Sequence, residues 1–188
     1  MKIHLIRHGR TDWNDLNHIQ GKNDIPLNLT GIAQAEALGN TLKQQNLQVS
    51  HIYTSFLLRA KQTAEIISNI LNIPCDILDG LEEVNLGDWE GLSWDEVKQL
   101  FPRRYEAFLH NRRYTKASGG ESYEDMLMRL LPALKKLAAT CERDVIVVTH
   151  SGVIMPLLCY LNNTPFEEMR TYKVKNTSVT TIDGENFI

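Results

Sequence analysis

Two histidines stand directly after runs of β-forming residues and directly before glycine-containing steps. Arg7-His8-Gly9 follows Ile3-His4-Leu5-Ile6, and Thr149-His150-Ser151-Gly152 follows Val145-Ile146-Val147-Val148. Imidazole can act as a nucleophile or a proton carrier near neutral pH, and glycine lets a ligand or another backbone approach closely. Taken singly, either histidine reads as an ordinary hydrogen-bonded side chain. Placed at equivalent strand ends, the pair points to one crevice. His4 and His8 have the i, i+4 spacing of zinc ligands on a helix. Their segment reads as a strand, however, on which residues four apart are roughly 13 Å from each other. With no Cys cluster and no His-Glu-x-x-His, a metal site is disfavoured. Cys75, Cys141 and Cys159 are widely spaced and odd in number, and read as buried reduced thiols.

The elements that must position these histidines alternate along the chain. After a first strand at Ile3, Leu5 and Ile6, Thr30 is the expected cap of a helix through about Gln45, with Ile32, Ala35, Leu38 and Leu42 inward. A strand at His51–Thr54 leads to a helix with Ala60, Ala64, Ile67 and Leu71 inward, ended by Pro74, and then a strand over 75–78. Ser93 with Glu96, and Ser122 with Asp125, are capping-box signals for helices over 93–100 and from 122 to about 139. Pro132 should kink the second. Val145–Val148 lacks polar alternation, as a strand covered on both faces should, and so belongs at the sheet centre. A helix over 153–161 and a last strand over 178–182 complete a three-layer α/β/α arrangement on a mainly parallel sheet. Such sheets bind ligands beyond the carboxyl ends of their strands, where His8 and His150 lie.

The 188 residues, 43% of them hydrophobic, suit one domain with a full core, spanning residues 1–188. A net charge of −3 provides no general field for nucleic acid or an anionic membrane, so an anion site must be built locally. The apolar run at the start is too short for a signal peptide, and nowhere does the chain approach roughly 18 uninterrupted apolar residues. A cytoplasmic enzyme is expected.

Five segments in order carry a more specific signal: Leu5-Ile6-Arg7-His8-Gly9-Arg10-Thr11-Asp12-Trp13-Asn14; Ser55-Phe56-Leu57-Leu58-Arg59-Ala60-Lys61-Gln62-Thr63-Ala64; Leu81-Glu82-Glu83-Val84-Asn85-Leu86-Gly87-Asp88-Trp89-Glu90-Gly91; Gly119-Gly120-Glu121-Ser122; and Val148-Thr149-His150-Ser151-Gly152. Together they resemble the histidine phosphatase superfamily, which includes the cofactor-dependent phosphoglycerate mutases. The resemblance implies that His8 is transiently phosphorylated, that Arg7, Arg59 and His150 surround the phosphoryl group, and that no metal or cofactor takes part. Forked guanidinium groups suit the charge on equatorial phosphoryl oxygens, and nearby cations with desolvation favour the neutral, nucleophilic imidazole. For Arg59, near a helix start where amides favour anions, a solvent-exposed helix arginine is the alternative reading.

The family pattern Leu-x-Glu-x-x-x-Gly falls on Leu81, Glu83 and Gly87, which makes Glu83 the implied acid for the leaving oxygen and leaves Glu82 as a solvated neighbour. Asn14, Gln20 and Gly21 resemble phosphate-bonding positions, although turn chemistry accounts for them nearly as well. Ser151 is a candidate supporter of His150 or of the phosphate. Many relatives carry Arg a few residues past the second histidine, where this chain has Val153-Ile154-Met155-Pro156, which casts doubt on extra anion contacts there.

Mutases of the family are generally longer, with a larger insertion before the Gly-Gly-Glu-Ser element and a C-terminal tail over the site. Here the intervening segment, a small lid-like insertion at about 84–120, is compact, and the chain stops soon after its last strand. A phosphatase acting on a small phosphorylated metabolite is therefore expected. The alternatives are a mutase or a non-catalytic phospho-ligand sensor. Within the insertion, Arg104, Tyr105, Phe108, Arg112 and Tyr114 are candidates to touch the organic part of a substrate, with a solvated face over an aromatic core contact as the competing reading.

Overall fold

A computed structural model describes residues 1–187. Five strands, β1 (Lys2–Arg7), β2 (His51–Thr54), β3 (Cys75–Ile77), β4 (Val145–Thr149) and β5 (Val179–Asp183), form one sheet in the order β3-β2-β4-β1-β5. The strands pair in parallel except β5, which runs antiparallel to β1. The arrangement is the expected mainly parallel α/β sheet, and β4, buried at every residue, is its middle strand.

Side chains alternate across the sheet. Ile3, Leu5, Val145 and Val147 join one apolar cluster, while Ile6, Ile52, Ile146 and Val148 join the other. Helices α2 (Leu29–Gln44) and α3 (Leu58–Leu71) cover the second face. Helices α6 (Tyr123–Thr140) and α7 (Ser151–Leu161) cover the first, to which the short helices α4 (Trp94–Leu100) and α5 (Pro102–His110) add Val97 and Phe108. The four-residue α1 (Asp12–Asp15) follows β1.

Local signals set several boundaries as expected. Ser93 and Ser122 each complete a capping box, with Glu96 and Asp125. Pro102 supplies the first turn of α5 rather than merely ending a helix, since the first turn has no need of its missing N–H. Three expectations are corrected. Asn28, not Thr30, caps α2, because its side chain accepts from Gly31 N–H. Ile32 is exposed rather than inward. Helix α7 starts at Ser151 instead of Val153, with His150 as its N-cap.

Candidate active site

Residue pairing explains how two histidines far apart in sequence meet. Strands β1 and β4 are parallel neighbours with Arg7 opposite Thr149, so the next residue of each is a histidine. The His8 N–H donates to the Thr149 carbonyl at 3.0 Å, and the two imidazole centroids lie 5.2 Å apart. Both rings are buried. Burial, Arg59 and Arg7 hold His8 well below the usual histidine range, and burial with Arg59 does the same for His150. Both imidazoles are therefore neutral at neutral pH. His8 Nδ1 lies 2.7 Å from the Gly9 carbonyl. A carbonyl only accepts, so Nδ1 carries the proton and the lone pair is on Nε2.

The cations come from two elements. Arg7, the last residue of β1, donates from Nη1 to the Val174 carbonyl at 2.9 Å. Arg59, in the first turn of α3, is fully buried and donates to the Gly21 and Asn23 carbonyls at 2.7 and 2.8 Å. Burial lowers Arg59 to about 10, which leaves it charged at neutral pH. The solvent-exposed alternative for this arginine is thereby excluded. Among the described residues, the buried side-chain polar atoms without a hydrogen-bond partner include Nε of Arg7, Nε of Arg59 and both ring nitrogens of His150.

Adjacent glutamates have opposite surroundings. Glu83 reaches the site, accepting from its neighbour Val84 N–H at 3.0 Å and from Gly152 N–H at 3.2 Å. The early start of α7 matters here, since Gly152 is in the first turn and its amide has no partner within the helix. A Cβ on Gly152 would overlap the Glu83 carboxylate, so only glycine permits this approach. Burial raises the Glu83 carboxyl above its ordinary range, against the opposing pull of Arg59, the two amides and Arg7. Glu82, expected to be solvated, is instead buried and paired with Arg129 of α6 at 3.1 Å. The two adjacent carboxylates are thus separated, one held by α6 and the other by the first turn of α7.

A cavity of about 700 Å³ opens at these strand ends, lined by Arg7, His8, Asn14, Gln20, Gly21, Glu83 and Ser151 among others. Arg59 and His150, fully buried, do not contribute to its wall. Asn14 spends its side-chain oxygen on the capping box of α1, so turn chemistry does account for part of its role. Gln20 is buried with its side-chain oxygen unpartnered. Gly21 has φ +48, and a Cβ there would overlap Glu90. Residues 84–120 supply Val84, Leu86 and Trp94 to the wall, but none of Arg104, Tyr105, Phe108, Arg112 and Tyr114. Phe108 and Arg112 are buried, stacked against each other.

Several lining residues escaped sequence reasoning: Arg10, Trp13, Tyr123, Met155, and Lys173, Val174, Lys175 and Asn176 ahead of β5. Asn176 donates to the His8 carbonyl at 2.9 Å, and Thr177 N–H to the Arg7 carbonyl at 2.9 Å. Thr177 has φ +55, a conformation rare for a β-branched residue. The Lys-Val-Lys-Asn run was a signal available in the sequence, but it gains meaning only with the direction of β5. Because β5 is antiparallel, its start lies beside the ends of the parallel strands. His4, the other zinc candidate, lies 2.9 Å from the Thr181 hydroxyl on β5. Among the described residues no cluster of three or more His, Cys, Asp or Glu is placed to hold a metal, and no helix is long and apolar enough to cross a membrane.

Comparison with known proteins places the chain and its fold among relatives. A phosphoglycerate mutase-like protein 4 from Arabidopsis thaliana is 36% identical over 95% of this chain and 77% of its own length. A metal-independent phosphoserine phosphatase from the same plant is 35% identical over 96% and 75%. Among solved structures, YhfR of Bacillus stearothermophilus is 33% identical, with a TM-score of 0.86 over 97% of this chain and 90% of its own. The model of the histidine phosphatase superfamily (branch 1) matches residues 3–186, and the chain belongs to that superfamily.

Proposed function

We propose that this chain is a phosphatase that hydrolyses small phosphate monoesters through a phosphohistidine on His8. The observation that carries this reading is the neutral His8 imidazole on the cavity wall beside Arg7, with the His150 ring 5.2 Å away and Arg59 buried close enough to depress it. Arg7, on the same wall, has a buried Nε without a partner; buried polar groups ordinarily have partners, and a phosphoryl oxygen would supply one.

In the forward step the His8 Nε2 lone pair attacks phosphorus and the ester P–O bond breaks. The arginines neutralise charge on the equatorial oxygens, while Glu83 in its protonated form gives its proton to the leaving oxygen. A raised carboxyl pKa suits that donation. The ionised Glu83 then takes a proton from an entering water, whose oxygen attacks phosphorus as the P–N bond breaks. Inorganic phosphate leaves, and His8 recovers its lone pair. A phosphatase relative and a compact 84–120 segment favour water as the acceptor. Trp13, Trp94, Tyr123 and Met155 with Arg10, Lys173 and Lys175 give the cavity apolar and cationic walls, suited to a small anionic metabolite.

A screen of phosphate monoesters in excess chelator, with acid-labile phosphoenzyme trapped during turnover, tests the reading. Wild type should release inorganic phosphate and form the adduct, and His8→Ala should do neither. Activity that survives in His8→Ala, or that chelator abolishes, would refute it.

A further inference from the structure

Arg129 of α6 is absorbed by neither the phosphoryl site nor the cavity wall, yet its guanidinium makes six contacts within 3.2 Å. Three go to backbone carbonyls of the segment that carries Glu83: Gly80 at 3.0 Å, Glu82 at 2.9 Å and Glu83 itself at 3.2 Å. The others go to the carboxylates of Glu82, at 3.1 Å, and Glu121, at 3.2 and 2.7 Å. Glu121 in turn accepts from Asn85 N–H at 2.9 Å. Gly80, with φ +96, lies so close to α6 that an added Cβ would stand 2.6 Å from the Arg129 carbonyl. One further tie, Thr149 Oγ1 to the Leu81 carbonyl at 2.6 Å, joins this segment to the end of β4 beside His150.

We infer that Arg129, with Glu121, is the positioning residue that aims Glu83 at the leaving oxygen, an inference that rests on the acid role proposed above. The segment over 80–85 has no strand or helix to fix it, so its direction is set by what holds its carbonyls and amides. Arg129 grips the backbone on either side of the Glu82–Glu83 peptide and draws the Glu82 carboxylate to its own side. Glu83 is thereby left on the opposite side, toward Gly152 and the cavity. Arginine suits the task because five N–H donors in a rigid plane reach several acceptors at once. Lysine offers three donors on one atom.

Leaving-group dependence separates positioning of an acid from general damage. An alkyl phosphate such as β-glycerophosphate expels a strongly basic oxygen that needs a proton, whereas 2,4-dinitrophenyl phosphate expels an anion that needs none. Glu83→Gln is the benchmark, expected to lose about 100-fold in kcat/KM on the alkyl ester and little on the aryl ester, as removal of a general acid should. Arg129→Met should reproduce this selectivity with a smaller loss, about 10-fold, within the roughly 100-fold that a misplacement of about 1 Å can cost. Arg129→Lys should recover part of the loss, and Glu121→Gln should show a smaller loss in the same sense. Thermal melts identify any variant that does not fold, and the milder Glu121→Gln then serves in place of Arg129→Met. Equal losses on both esters, or none, in a folded Arg129 or Glu121 variant would overturn the positioning role while Glu83→Gln stays selective. If Glu83→Gln itself shows no selectivity, the acid role falls and this inference with it.

Discussion

At the scale of single residues, the site holds ionisable groups against their solution preferences, with opposite signs for the carboxyl and the imidazoles. Burial raises the Glu83 carboxyl, so its favourable contribution is present below the unfolded pKa and is lost as pH rises through the folded one. Above the ordinary carboxyl range the folded state therefore carries a cost at Glu83 that Gln would not. Glu83→Gln should melt higher than wild type at pH 7.5, by about 2–4 °C per kcal/mol released, with the gap closing toward pH 4.5. His8 and His150 are depressed by burial and by Arg59, so protons bind the unfolded chain more readily. Their stabilisation is full above the unfolded histidine pKa and is lost as pH falls below about 6.5. His8→Asn should accordingly show a shallower fall in stability between pH 6.5 and 5.5, by at most about 1.4 kcal/mol per pH unit, in urea titrations at each pH. A slope equal to that of wild type would mean that His8 is not held neutral.

Elements act on the chemistry mainly through their ends. The first turn of α7 gives Glu83 an amide, the first turn of α3 carries Arg59, and the segment before β5 ties down His8 and Arg7. Gly152 is where this dependence is sharpest. Gly152→Ala must push the Glu83 carboxylate away or shift the start of α7, since the new methyl and the carboxylate claim the same space. With the fold retained, kcat/KM on an alkyl phosphate should drop about 10-fold or more, with less effect on an ester of an acidic phenol. An unchanged rate on both would show that Glu83 need not occupy its present position.

For the whole molecule, the sheet serves as a ruler that brings β1 and β4 to the same height. Both apolar clusters bear on it, Ile146 and Val148 from one face and Val145 and Val147 from the other. Ile146→Ala opens a cavity at the centre of the sheet and should destabilise the protein by about 2–5 kcal/mol, read from the shift in urea midpoint. The chemistry lies beyond the strand end, so the folded fraction should keep its KM. A large rise in KM at low temperature would mean that packing at the sheet centre also tunes the phosphate site.

Much of this was legible in the sequence because it depends on local rules. Strand runs of apolar residues and the Ser122–Asp125 and Ser93–Glu96 caps state their own conformations, and the resemblance to the family pattern over Leu81, Glu83 and Gly87 singles out Glu83, the one of two adjacent glutamates that faces the cavity. Other features depended on contacts between distant segments. Burial of Arg59 requires the 21–23 loop to offer its carbonyls, and the pairing of Glu82 requires α6 to bring Arg129 beside it. The cavity wall built from 173–176 follows from the reversed direction of β5. The sequence by itself determined that two histidines follow strands and that arginines stand close by in the chain, because residue type and periodicity are local properties. Only the tertiary structure decided that the two strands are parallel neighbours in register, because hydrogen-bond pairing between β1 and β4 joins segments about 140 residues apart in the chain.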